Sequence, residues 1–203
     1  SRVTRNDDGS YSICNVVGAD EYANGVDDNA FTNGAAIRAL EYACEAAKIC
    51  NEPVPEKWEE VGKGIRILRF KDGVTREHAT YNGEMIKQAD VNLLGYPLYF
   101  VGDAESQKKD MEYYVDKIDP QNGPAMSYSV FCVQYARMGD AKRAYEMFCR
   151  CYQPNLRAPF GVLAETPTSD NPYFMTGAGG LLQAVINGFC GLQITDCVVE
   201  QLF

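Results

Sequence analysis

The chain has 203 residues, 46% of them apolar and 23% charged, and carries a net charge of −9. That is enough sequence to bury a sizeable core, and the balance excludes a disordered chain. The acidity argues against nucleic acid or an anionic membrane as partner, because both demand clustered Lys and Arg, and no apolar run reaches the roughly 18 residues of a membrane span.

The chain begins at Ser1, so the sequence reads as a processed or fragmentary polypeptide in which a targeting segment is not visible. His78 is the single histidine, which excludes a multi-histidine zinc site. Of eight cysteines none forms a CxxC pair, and Cys44, Cys132 and Cys149 fall within apolar helical patterns. Thiols so placed pack as small hydrophobes. Mostly reduced cysteines favour a reducing setting, without fixing the compartment.

In chain order, Phe31, Ile37, Leu40, Cys44 and Ala47 recur at helical spacing and predict a helix from Asp28 to about Cys50, with Asp27 or Asp28 as its cap. Pro55 and Glu56 open a second, in which Trp58, Val61, Ile65 and Leu68 form an apolar stripe. The polar segment from Lys71 to Gly83 reads as a loop. A third helix, richer in apolar residues and so more deeply buried, is predicted from Met85 or Ile86 to about Val101, with Pro97 as a kink. Asp103 caps a fourth, to about Ile118. Gly123 and Pro124 begin a fifth that stops at Gly139, and Asp140 caps a sixth. Gln153 to Tyr173 holds four prolines and no helical period, so it is a long ordered loop or a pair of short strands. A seventh helix runs from about Ala178 to Phe189, after the small-residue segment Thr176-Gly177-Ala178-Gly179-Gly180. The tail, with Val198, Val199, Leu202 and Phe203, has no helical stripe and suggests a β element. Short connections between helices imply antiparallel hairpins.

Three places put polar groups where the pattern of burial does not ask for them. Gly18-Ala19-Asp20-Glu21-Tyr22 sets two acids beside an aromatic on a turn before a helix start. It is either a solvated acidic turn or a general acid whose carboxyl is neutralised in a partly apolar pocket. Lys87-Gln88-Ala89-Asp90 opens the buried third helix, where a lysine opposes the helix dipole. Lys87 either snorkels to solvent or points inward with Gln88 to hydrogen-bond sugar hydroxyls. Glu165 follows an apolar run and precedes Pro167 by two residues, so it is either a surface charge or a carboxylate held toward a cleft. The glycines at 177, 179 and 180 either cradle an anion at a helix start or permit close helix packing.

Val16-Val17-Gly18-Ala19-Asp20-Glu21-Tyr22, followed by Val26-Asp27-Asp28-Asn29-Ala30-Phe31-Thr32-Asn33, resembles a signature of glycoside hydrolase family 65. Ile86-Lys87-Gln88-Ala89-Asp90-Val91 resembles its second signature. Thr176-Gly177-Ala178-Gly179-Gly180 with Gln183-Ala184-Val185 and Asn187-Gly188-Phe189 resembles its third. The resemblance implies an all-α chain forming about the second half of an (α/α)6 barrel over residues 1–191, with residues 192–203 starting a C-terminal β segment. It implies an inverting mechanism on an α-linked glucoside such as kojibiose or trehalose. Glu21 matches the general acid, Lys87 and Gln88 match residues of the glycone subsite beside Tyr22, and Glu165 looks like the base that activates water. An inverting pair needs its carboxyls roughly 6.5–9.5 Å apart. Such chemistry needs no metal or organic cofactor. A base is required only when water is the nucleophile, so hydrolysis is favoured over phosphorolysis by inorganic phosphate. The other class left open is a non-catalytic carbohydrate-binding helical domain. Family members are longer than this chain, and half a toroid would expose a large apolar face. The expectation is therefore of a chain inactive alone, paired with the missing half of the barrel, with another polypeptide, or with a second copy as a homodimer.

Overall fold

The computed structural model describes residues 3–100, 103–171, 173–195 and 198–202. The N-terminal hairpin pairs β1 (Val3–Arg5) with β2 (Tyr11–Ile13) around the turn-forming Asn6-Asp7-Asp8-Gly9-Ser10, in which Gly9 takes a φ of 84°. A second hairpin pairs β3 (Val16–Val17) with β4 (Asn24–Val26). The long helix α1 (Ala30–Ile49) follows. Its cap is Asn29, which accepts from the Thr32 amide at 2.9 Å, and not Asp27 or Asp28. Asp27 instead accepts from the Asn15 amide, and buried Asp28, at a φ of 53°, ion-pairs with Arg66. A side chain engaged elsewhere cannot satisfy the first amides of a helix.

Helix α2 (Glu56–Gly64) packs on α1 but is shorter than its stripe suggests. Ile65 is extended, and its apolar side chain joins a small cluster with Tyr11 and Ile37 instead of continuing the helix. The predicted third helix does not form. Its backbone donors are taken by distant acceptors: Ile86 N–H by the Lys117 carbonyl at 2.9 Å, Lys87 N–H by the Asp20 carboxylate at 2.7 Å, and Ala89 N–H by Ser127 Oγ at 3.2 Å. A single 3₁₀ turn at Val91–Leu94 remains before Gly95 and Pro97, and Pro97 disfavours helical conformation at the residue before it. The segment is nonetheless buried, as its composition required, with Ile86, Val91 and Leu94 each 1% exposed. The predicted end at Val101 lies outside the described residues.

Asp103 caps α3 (Ala104–Tyr114), accepting from the Ser106 amide at 2.7 Å. Helices α4 (Met126–Arg137) and α5 (Ala141–Tyr152) make the antiparallel hairpin expected from Gly139 and the Asp140 cap. Phe131, Cys132 and Tyr135 of α4 lie at the centre of the core with Met111 and Tyr114 of α3 and Ala144 and Met147 of α5. After a 3₁₀ turn, the proline-rich segment forms the hairpin β5 (Leu156–Arg157) and β6 (Val162–Leu163). The final helix starts earlier than predicted: α6 (Met175–Gln183) continues as a π-helical stretch, Ala184–Phe189. The tail forms the hairpin β7 (Leu192–Thr195) and β8 (Val198–Gln201), the β element expected there, while Cys197 and Phe203 lie outside the described residues.

The expectation of an all-α chain is thus corrected to a helix-rich chain with four two-stranded antiparallel sheets among the described residues. The β5–β6 and β7–β8 hairpins fall where short strands or a β element were expected, and the two N-terminal hairpins escaped notice because strands of two or three residues show no period. No described helix is long and apolar enough to cross a membrane. Cys44, Cys132 and Cys151 are buried free thiols, and burial pushes Cys132 up to about 12. Cys149 is half-buried, and Cys14, Cys50 and Cys190 are exposed. The last helix leaves apolar side chains in solvent: Met175 is 81% and Leu182 62% exposed, with Ile186 and Phe189 beside them.

Close packing under the 3₁₀ turn yields one stability prediction. A Cβ on Gly95 would lie 2.1 Å from Gln134 Oε1 and 2.7 Å from Gln107 Nε2, two groups hydrogen-bonded to each other at 2.6 Å. Gly95→Ala is expected to cost about 1–3 kcal/mol, the usual range for overpacking, read as a lower urea midpoint. An unchanged midpoint would mean that the glutamines swing aside freely.

Candidate active site

The turn between β3 and β4 carries Glu21, and its shape comes from buried acids beneath it. Asp90, fully buried, accepts from the amides of Ala19 at 2.7 Å, Asp20 at 3.3 Å and Phe31 at 3.3 Å, and from Asn29 Nδ2 at 3.0 Å. Burial pushes Asp90 up to about 6, against the pull of those donors. Asp20, 2% exposed, accepts from the amides of Lys87 at 2.7 Å and Tyr22 at 3.2 Å, and its carboxyl is raised by the same desolvation. One aspartate therefore ties the turn to the start of α1, and the other ties it to the 86–90 segment.

That framework points Glu21 outward, 59% exposed at its side chain, and brings Lys87 against it. The Lys87 ammonium contacts the Glu21 carboxylate and lies 4.0 Å from Glu165 Oε1. The Glu21 contact holds Lys87 above the usual lysine range, with Glu165 adding to the effect. Glu165 is half-buried, and its carbonyl accepts from Ala125 N–H and from Asn155 Nδ2, both at 3.0 Å. Buried Asn155 also bonds Ala164 in both directions, at 2.8 and 3.1 Å. Arg157 gathers the carbonyls of Thr166, Pro167 and Ser169 at 2.8 to 3.2 Å. The loop that carries Glu165 is ordered by these two side chains rather than by regular structure.

Of the residues singled out from sequence, Glu21, Lys87 and Glu165 meet at one place, 66 and 78 positions apart along the chain. Lys87 lies in an irregular segment, so it opposes no helix dipole. Gln88 is adjacent, but its amide donates to the Ala19 carbonyl and thereby supports the turn. Tyr22 is half exposed, with its hydroxyl donating to Asp119 at 2.9 Å. The glycines of α6 sit within the helix, and the packing alternative describes two of the three: a Cβ on Gly177 would lie 2.9 Å from the Phe174 ring and one on Gly180 2.6 Å from Ser129 Oγ on α4, whereas one on Gly179 would meet open space. Sequence reasoning missed Asn29, Glu77 and the structural role of Asp20 and Asp90. The one signal available was that Asp20 and Asp90 close the same short motifs that hold Glu21 and Lys87. Among the described residues no group of three His, Cys, Asp or Glu is arranged to hold a metal ion.

Residues 1–82 match the family model described as "Glycosyl hydrolase family 65 central catalytic domain". The chain is 48% identical over 202 residues to a kojibiose hydrolase of Mucilaginibacter mallensis, covering all of this chain and 30% of that protein. It is 49% identical over 194 residues to a kojibiose hydrolase of Flavobacterium johnsoniae, covering 96% and 28%. A solved structure titled as a putative kojibiose phosphorylase from human microbiome superposes with a TM-score of 0.73 at 18% identity, over 99% of this chain and 35% of that one, a likeness of fold. The chain thus spans less than a third of the length of these two curated relatives. Over residues 1–82 the chain is thus similar to the central catalytic domain of glycoside hydrolase family 65, and along its whole length it is similar to these two hydrolases at near-half identity.

Proposed function

We propose that this chain is the part of an inverting glycoside hydrolase that carries both catalytic acids, acting on an α-glucoside such as kojibiose or trehalose. Glu21 protonates the departing glycosidic oxygen, and Glu165 activates the water that attacks the anomeric carbon. Lys87 donates to hydroxyls of the glucosyl unit, with Gln88 and Tyr22 at the margins of the same subsite. The observation that carries the reading is the approach of Glu21 and Glu165, 144 positions apart in sequence, to one lysine ammonium. In this reading Lys87 turns from the two acids to the sugar when substrate binds.

Residues 1–191 make up part of an (α/α)6 barrel in this reading, and residues 192–203 begin a C-terminal β segment. The exposed apolar side chains of α6 call for a further wall to complete the cleft. Further sequence, another chain or a second copy would supply it, and the chain alone is inactive.

The test is product analysis by NMR at the anomeric proton, on a polypeptide in which this chain sits within a complete catalytic domain. Kojibiose and trehalose are incubated with and without phosphate, beside a Glu165→Gln variant. The expected first product is β-glucose, formed without phosphate and lost in the variant. Release of α-glucose would overturn inversion, and β-glucose 1-phosphate formed only with phosphate would make the enzyme a phosphorylase.

A further inference from the structure

Glu77 lies in the 71–83 loop and is wholly buried. Its main-chain carbonyl accepts from Ala30 N–H at 2.7 Å and from Asn29 Nδ2 at 3.4 Å, which fixes the residue against the start of α1. Its side chain is different: no donor reaches either carboxyl oxygen. The groups that face it are Asp20 from the β3–β4 turn, Asp90 from the segment before the 3₁₀ turn, His78 and Tyr81 from its own loop, Glu84 just after that loop, and Tyr114 from α3. None is a lysine or arginine. The candidate donors are spent elsewhere, since Tyr81 donates to the Glu84 carbonyl at 2.8 Å and Tyr114 to the Thr75 carbonyl at 2.7 Å. Asn29 donates to Asp90, and His78 pairs with Thr80 at 3.2 Å.

An ionised carboxylate with no donor and no cation does not persist in such a place. A neutral carboxyl does, because it brings its own donor, and the Asp20 carboxylate is the acceptor within hydrogen-bond reach. Burial, with the charges of Asp90 and Asp20 behind it, pushes Glu77 up to about 9, in keeping with that assignment.

We infer that Glu77 is a positioning residue for the proposed site: as a neutral acid it donates one shared proton to Asp20, which in turn holds the amides of Lys87 and Tyr22 on either side of the contact between Lys87 and Glu21. The inference rests on the proposed function for its effect on turnover, but not for the proton itself. Glu77 touches no substrate and acts through Asp20. When it ionises, a second negative charge lies against Asp20 with no cation near. Asp20 then loses its donor, and the geometry it imposes on Lys87 loosens.

The experiment uses the complete catalytic domain in three forms: wild type, Glu77→Gln and Glu77→Leu. Infrared difference spectra read the protonated-carboxyl band, and the Lys87 amide nitrogen resonance reads the bond to Asp20; neither depends on activity. The expected result is a neutral-carboxyl band at pH 7 that vanishes in Glu77→Gln. The Lys87 resonance is expected to move as the wild type is titrated through about pH 9 and to stay still in Glu77→Gln. Glu77→Gln keeps a donor it cannot lose, so its activity at pH 6 stays within about 3-fold and its alkaline limb moves upward. Glu77→Leu, with no donor, loses about 10–100-fold in kcat, the range of lost second-layer support, with little change in KM. If Glu77→Leu does not fold, the glutamine variant and the two spectroscopic readouts decide alone. Absence of a Glu77-dependent band, or a Lys87 resonance that titrates identically in Glu77→Gln, overturns the inference. A protein that shows both spectroscopic signatures but cleaves no glucoside overturns the proposed function and leaves the shared proton established.

Discussion

Glu21→Gln is expected to lower kcat on kojibiose by about 10²–10⁴-fold, the usual contribution of a positioned general acid, while α-glucosyl fluoride continues to turn over at close to the wild-type rate. Fluoride departs without being protonated, so a site that has lost only its acid still processes it. Glutamine matches glutamate in shape and still accepts from the Lys87 ammonium, which contacts Glu21 at the mouth of the turn. The framework under the turn is bonded through the main chain of Ala19, Asp20 and Tyr22 and does not involve the Glu21 side chain. Steady-state kinetics with the two substrates therefore separate chemistry from architecture. Equal losses on both would mean that Glu21 shapes the site without donating a proton. In contrast, Glu165→Gln should lose both substrates, because the water must be activated whatever group departs.

The largest stability effect is expected at Asp90. Asp90→Ala removes the acceptor for three main-chain amides and for Asn29 Nδ2, all in a fully buried position. Leaving a buried donor unsatisfied costs about 1–3 kcal/mol. Some of the four will find water or each other, which places the total at about 3–5 kcal/mol and lowers Tm by roughly 10 °C for a chain of this size. Asp90→Asn keeps one oxygen but turns an NH₂ toward an amide, so an intermediate loss is expected. The comparison belongs at pH 7, and the sign explains why. Asp90 is raised from 3.8 to about 6 by burial, so the stability its proton confers is complete below 3.8 and gone once the pH passes about 6. Above that point the ionised carboxylate with its four donors is the native form. Thermal unfolding followed by circular dichroism is the measurement, and a Tm within 2 °C of wild type, about the shift expected from under 1 kcal/mol, would refute the assignment of Asp90 as the anchor of the turn.

Most helices were legible because their ends carry chemistry that is visible in one dimension. Asp103, Asp140 and Gly139 mark boundaries that the fold respects. The 86–101 segment was not legible as irregular chain. Its apolar content correctly announced burial, but burial does not say whether amides bond locally or to Lys117, Asp20 and Ser127 across the fold. Likewise, Ile65 continues an apolar stripe but leaves the helix to pack on Tyr11. In the site, Glu21, Lys87 and Glu165 emerged through their motifs, and spacing by itself left each indistinguishable from a surface charge. The structural role of the acids beneath them was not legible, beyond their place in the same short motifs. Nothing local distinguishes a carboxyl at 2% exposure, such as Asp20, from the exposed Glu21 beside it.

The span between the meeting residues also bears on how such a site comes into being. At about 5–20 residues per second of synthesis, the 144 positions separating Glu21 from Glu165 take roughly 7–30 s to appear. During that interval the hairpin bearing Glu21 has left the ribosome while the acid that anchors it, Asp90, and later the loop that faces it, are still to come. Local hairpins and helices close within microseconds, so the nascent polypeptide carries an unlocked acidic loop through most of its birth. Assembly of the cleft is thereby a late event of biogenesis, and a polypeptide truncated anywhere before residue 165 releases a scaffold without its full pair of acids.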